Sequence, residues 1–246
     1  MQLVRSMFSK RWIFTTLLVV AGTLVLGRLG IWQLDRLEQR RAFNAQVLSA
    51  SAMTELDLNQ EIPDRLVDME WRSVRVTGTY DFDNQVALRN QYDRNRPGYH
   101  LITPLHFSGT VVLVDRGWIP FEGNANPINW RNYDESGEIM VEGQIRVGQE
   151  RPALGGLADP PTVEGEKLFV WNNLDLPRIA VQMPYPILPV IIQPDADEID
   201  DVPPIPFQPD QDLTEGPHFG YAMQWFIFAS ILFVGYPFYL LQQEQP

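Results

Sequence analysis

Two apolar runs constrain this chain more than any other feature. Trp12–Leu34 reads WIFTTLLVVAGTLVLGRLGIWQL, and Phe219–Leu241 reads FGYAMQWFIFASILFVGYPFYLL. At about 1.5 Å of rise per residue, each would span roughly 35 Å as a helix, enough for a hydrocarbon core of about 30 Å. Both predict transmembrane helices, over residues 12–34 and 217–241. The averages over 246 residues, 45% apolar content and a mean hydropathy of -0.17, conceal them because the middle of the chain is polar.

The first run also invites reading as a cleavable signal, since Arg5, Lys10 and Arg11 precede it and Ala50-Ser51-Ala52 resembles a cleavage triplet. That triplet lies far downstream, past the charged Asp35–Arg41, so a retained anchor is expected. Arg28 is tolerable because its stem reaches the interface. The leading basic residues put residues 1–11 in the cytoplasm, although Arg36, Arg40 and Arg41 count the other way. Two spans return residues 242–246 to the same side, and residues 35–193 then form an extracytoplasmic domain. With the anchor starting near Trp12, no room remains for a long transit peptide, which favours a bacterial plasma membrane.

The net charge of -12 argues against a nucleic-acid partner, whose phosphates demand a basic surface. With no cysteine, disulfides, thiolate nucleophiles and sulfur metal sites are excluded together.

After the first span a helical period continues through Leu34, Leu37 and Arg41 toward Ser49, so the helix is expected to project beyond the bilayer. Alternation of bulky and polar residues then sets in at Trp71–Tyr80. Further strands are expected at Gln85–Asn90, Tyr99–His106, Thr110–Ile119, Ile139–Val147, Lys167–Asn172 and Val190–Gln193, with a short helix within Leu174–Gln182 starting near Pro177. Asp81-Phe82-Asp83-Asn84, Arg96-Pro97-Gly98 and Phe107-Ser108-Gly109 read as turns. The expected fold is therefore a membrane protein in which two transmembrane helices flank a mainly antiparallel β domain, barrel-like or sandwich-like. Residues 194–216 are acidic and proline-rich and read as a linker back to the membrane.

Enzyme signatures are missing: there is no H-E-x-x-H, G-x-S-x-G, P-loop or C-x-x-C. His100 and His106 sit at even spacing in YHLITPLHF and share a sheet face, but without a carboxylate companion at ligand spacing they are expected to be exposed strand histidines. Asp115-Arg116-Gly117-Trp118 ends an apolar strand. There Arg116 either packs on an aromatic ring or holds a carboxylate by a bidentate contact.

GPHFGYAMQW, at Gly216–Trp225, starts the second span. Pro217 suits a first helical turn, and Tyr221, Ala222 and Trp225 fall on the face of His218. The stripe is either an interfacial aromatic belt or a haem site in which neutral His218 binds iron and small Ala222 leaves space.

LGIWQLDRLEQR at Leu29–Arg40, RPGYHLITPL at Arg96–Leu105, VVLVDRGWIP at Val111–Pro120 and GPHFGYAMQWFIFA at Gly216–Ala229 occur in an order that resembles the Surfeit locus protein 1 family, membrane-bound assembly factors of cytochrome c oxidase. The resemblance implies a non-enzymatic helper that handles haem a for insertion into the oxidase catalytic subunit, with His218 as axial ligand and Tyr221 and Trp225 beside it. Arg116, Arg28 or Arg36 would neutralise the propionates, and haem a synthesis enzymes become possible partners. Two alternatives stand beside it: a haem-free scaffold for an oxidase assembly intermediate, and a membrane-tethered hydrolase using His100 or His106.

Overall fold

The computed structural model describes residues 2–149, 156–161, 166–196, 202–206 and 213–243. The chain divides into two units, one joining Met1–Gln46 with Asp212–Pro246 and the other formed by Val47–Gln211.

The first unit contains a short helix α1 (Gln2–Met7) and the long helix α2 (Ile13–Ser51), which continues into the second unit. At 39 residues, α2 is about 58 Å long, nearly twice a bilayer core, so its extension past the apolar run is as expected. Two helices here are long and apolar enough to cross a membrane, α2 and the C-terminal helix His218–Gln243. Their outward faces carry exposed Leu17, Leu24, Ile227, Ile231 and Phe238, a surface that suits lipid and not water. The chain is a membrane-anchored protein.

Among the less exposed positions of α2, Thr16, Val19, Thr23, Leu26, Gly30, Gln33 and Leu37 recur in alternating steps of three and four. On the C-terminal helix, buried Ala222, Ala229 and Tyr236 follow every seven residues. This is the repeat of a coiled-coil seam. The two helices run antiparallel, as the Thr16 Oγ1 to Tyr236 hydroxyl bond of 2.6 Å shows together with the packing of Phe226 on Gly30. A Cβ on Gly30 would lie 2.6 Å from the Phe226 ring, so the ring occupies the space the missing side chain leaves.

The second unit holds β1 (Leu56–Asp57), β2 (Ser73–Tyr80), β3 (Val86–Asp93), β4 (Arg96–Phe107), β5 (Thr110–Pro120), β6 (Ile139–Arg146), β7 (Val170–Trp171), helix α3 (Leu176–Val181) and β8 (Ile191–Pro194). Strand order is β1-β2-β6-β8-β5-β4-β3-β7 with a further pairing of β2 to β4, so β2, β6, β8, β5 and β4 close into a barrel. Five pairings are antiparallel; β1–β2, β3–β7 and β5–β8 are parallel. Closure is made by Thr79 with His106 and Tyr80 with Leu105. Gly78 permits it, because a Cβ there would sit 2.2 Å from the His106 carbonyl oxygen.

Inward-facing Val74, Val76, Leu105, Val112, Val114, Val141, Ile145 and Ile192 fill the barrel. Outside it, Trp171, Leu176 and Ile179 cover Ile102, Leu113 and Ile191. That second layer explains why eight consecutive residues of β4 are buried, where a one-sided strand would alternate.

Three local readings change. The first β-hairpin turns at Arg94 and Asn95, both at positive φ as a two-residue hairpin loop requires, and Arg96-Pro97-Gly98 already belongs to β4. His100 is buried, not exposed. Of the tract expected to be a linker, Pro194 ends β8 and Ile205 exchanges backbone hydrogen bonds with Trp118, at 2.7 and 2.9 Å; residues 197–201 and 207–212 lie outside the described residues.

Candidate functional site

The C-terminal helix, α4 (His218–Gln243), opens on the histidine singled out from sequence. Its Nδ1 lies 2.9 Å from Oε1 of Gln33 on α2, in a half-buried setting. An amide oxygen only accepts, so Nδ1 is the donor in this contact, which in the neutral ring leaves the lone pair on Nε2. This outer partner fixes tautomer and ring orientation, as a hydrogen bond behind a metal-binding imidazole does.

Successive turns of α2 fasten the segment that leads into α4. The Asn44 side-chain amide donates to the Leu213 carbonyl at 2.5 Å and Arg40 Nε to the Thr214 carbonyl at 3.1 Å. Arg41 grips Glu215 through two parallel bonds of 2.7 and 2.8 Å. The Arg41 hydrogen bond, with the Arg41 charge adding a lesser share, holds the Glu215 carboxyl below its ordinary pKa against the opposing effect of desolvation.

The aromatic stripe divides. Tyr221 is 47% exposed and Trp225 half-buried, its ring edge-on to Phe228 at 6.3 Å. Ala222 is fully buried. Its small side chain falls on the same seven-residue row as Ala229 and Tyr236. Arg28 and Arg36 are in the same unit, Arg28 beside Asp35 at 3.8 Å and Arg36 bonded to Gln39 and set over Trp32.

Arg116 belongs to the other unit. Its side chain is 2% exposed, pairs with Glu135 at 2.6 Å, donates to the Tyr133 carbonyl and to Gln85, and lies over Tyr80 and Phe82. Of the two roles open to it from sequence, the aromatic packing is realised, and the carboxylate it holds is the chain's own. His100 Nδ1 is 2.9 Å from Asp115 Oδ2, and no serine or threonine is among the described residues lining the cleft beside them. His106 packs edge-on to Tyr185 at 4.6 Å. Among the described residues no group of three metal-binding side chains converges.

Gln33, Arg40, Arg41, Asn44 and Glu215 escaped the sequence reading. For Gln33 a signal existed: it falls on the three-four repeat of α2, where an amide in an apolar stretch needs a partner across the seam. The chemical capacity of this place is that of an imidazole oriented by Gln33 at the start of an apolar helix, with Tyr221 and Trp225 one and two turns further along.

The SURF1 family model matches residues 20–230. A SURF1-like protein of Rickettsia bellii is 30% identical over 129 residues, 51% of this chain and 52% of the relative, so the match spans about half of that relative's length. SURF1-like proteins of Rickettsia prowazekii, 26% identical over 228 residues, and Caenorhabditis elegans, 24% over 250, match 90% and 92% of this chain and 88% and 74% of their own lengths. The chain belongs to the SURF1 family.

Proposed function

We propose that this protein is a membrane-anchored assembly factor for cytochrome c oxidase that holds haem a at the mouth of the helix pair and helps deliver it to the oxidase catalytic subunit. The family is one linked to assembly of that oxidase. The observation that carries the haem reading is the Gln33 bond to His218 Nδ1, which leaves Nε2 as the ligand atom. Tyr221 and Trp225 offer aromatic surface to the macrocycle, and Arg28 and Arg36 lie in the same unit as counter-charges for its propionates. Haem is cargo in this scheme. One imidazole bond plus apolar contact binds it, and exchange of that bond releases it. The domain between the spans is assigned to the extracytoplasmic face of a bacterial plasma membrane, on the basic residues ahead of the first span.

The test is haem content and the Soret band of detergent-extracted protein. Wild type is expected to carry haem, His218→Ala to lose most of it, and Gln33→Leu to shift the Soret band and lower occupancy, with Gln33→Asn less affected. Haem-free wild type that still copurifies with the oxidase subunit would replace this reading with the scaffold.

A further inference from the structure

A second candidate binding place lies in the β domain and shares no residue with the His218 site. The β3–β4 hairpin borders a cleft of about 520 Å³ lined by Arg89, Tyr92, Pro97, Tyr99, Phe121 and Val170, with neighbouring backbone. Its walls are mostly apolar and aromatic. The Tyr99 and Phe121 rings lie 5.5 Å apart, tilted by 35°, and Tyr99 is braced from behind by Trp130 at 6.3 Å. Tyr99 is buried, whereas Phe121 is 51% and Tyr92 61% exposed, so large aromatic faces point into reachable space at one spot.

The rim has the opposite sign to the chain as a whole. Residues 89–96 carry Arg89, Arg94 and Arg96 against Asp93 alone, in a protein of net charge -12. Arg96 is bonded to Asp93 and set over the Trp118 ring, which fixes part of this charge on the hairpin. Arg89 lines the cleft and its charge acts on the Tyr99 phenol. Burial raises that phenol above its ordinary pKa more than Arg89 lowers it, so at neutral pH it remains an O–H donor. A β-bulge between Arg89 and Gln91, with Asn90 at φ 63°, turns the strand at this point.

We infer that this cleft binds a flat, largely apolar ring system bearing a carboxylate, the ring laid on Phe121 and Tyr99 and the carboxylate held by Arg89 and the Tyr99 hydroxyl. Stacking needs a broad unsaturated face, and the guanidinium with its phenol neighbour selects an anionic edge. The inference does not depend on His218.

Metal-free protoporphyrin IX is the probe, because without iron it has no use for an imidazole. The chain has no cysteine, so a dye on Glu122→Cys in the full-length protein reports only from beside Phe121. In phosphatidylcholine nanodiscs, with empty discs subtracted, saturable quenching of the dye by the porphyrin is expected. It should be unchanged in His218→Ala and weaken at least about ten-fold in Arg89→Gln. The dimethyl ester should lose as much, and Phe121→Ser should weaken both forms. Equal binding of acid and ester, or of wild type and the Arg89→Gln, Phe121→Ser double variant, would overturn the inference. So would quenching lost with His218 alone. Unchanged circular dichroism of each variant separates lost binding from lost folding.

Discussion

The barrel and the helix pair are stabilised by opposite means. In the barrel, side chains leave water, so apolar burial itself drives packing, and the buried Arg116 guanidinium is met by the Gln85 and Tyr133 acceptors, by Glu135 and by the Tyr80 and Phe82 rings. In the helix pair the outer faces are apolar already, so moving leucine from lipid to helix gains little. There the seam relies on a glycine under a phenyl ring and on hydrogen bonds between the helices, Thr16 with Tyr236 and Gln33 with His218. The difference teaches where a polar ligand atom can be kept. In the helix pair it is part of what fastens the structure, whereas in the barrel it must be compensated.

The largest break in this contrast is expected from Arg116→Ala, which leaves a cavity under Tyr80 and Phe82 and strips donors from Tyr133 and Gln85. It should cost the barrel about 3 kcal/mol, read as a lower urea midpoint of the β signal. Arg116→Met, which keeps the volume, should cost clearly less. Next comes Gly30→Val, which forces a branched side chain into the space of the Phe226 ring. About 1–3 kcal/mol is expected from the helix pair alone, measured by SDS-titrated unfolding, with the urea midpoint of the barrel unmoved. An equal loss in both units would show that they do not differ as described.

The smallest effect is confined to acid. Burial opposes the charge of Asp81, but hydrogen bonds from Asn84, the Tyr185 hydroxyl and the backbone N–H groups of Asp83 and Asn84 outweigh it and hold the carboxyl below its usual range. A depressed folded pKa gives stability that is fully present above the ordinary carboxylate pKa of about 4 and disappears as pH falls through the folded value. The melting temperature of the barrel should therefore fall below about pH 4, and Asp81→Asn should flatten that fall without altering the helix pair.

Much of this was legible in sequence, for identifiable reasons. The two spans follow from composition over a bilayer's thickness, and β2 through β8 lie close to their expected places because strand alternation and turn chemistry are local. Barrel rather than sandwich could not be chosen, since closure depends on Tyr80 meeting Leu105 across strands that pair elsewhere for most of their length. The parallel joint of β5 to β8 is equally long-range. His100 and His106 share a face as their spacing requires, yet of the two only His100 is buried, set against Asp115 in a cleft that Leu88 and residues 172–174 also line. His218 was recognisable; Gln33 signalled only that an amide on the seam needs a partner, and that this partner is His218 appears only when two segments 185 residues apart are laid side by side.

Thr79 and Tyr80, with the Asp81 N–H bonded to the Pro104 carbonyl, form the joint that turns a sheet into a cylinder. Until it forms, the nascent domain presents two raw margins, one on β2 and one on β4, each a template for any extended chain nearby. A glycine beside the joint, yielding its place to a carbonyl of the opposite strand, lets these margins find each other before they find a neighbour.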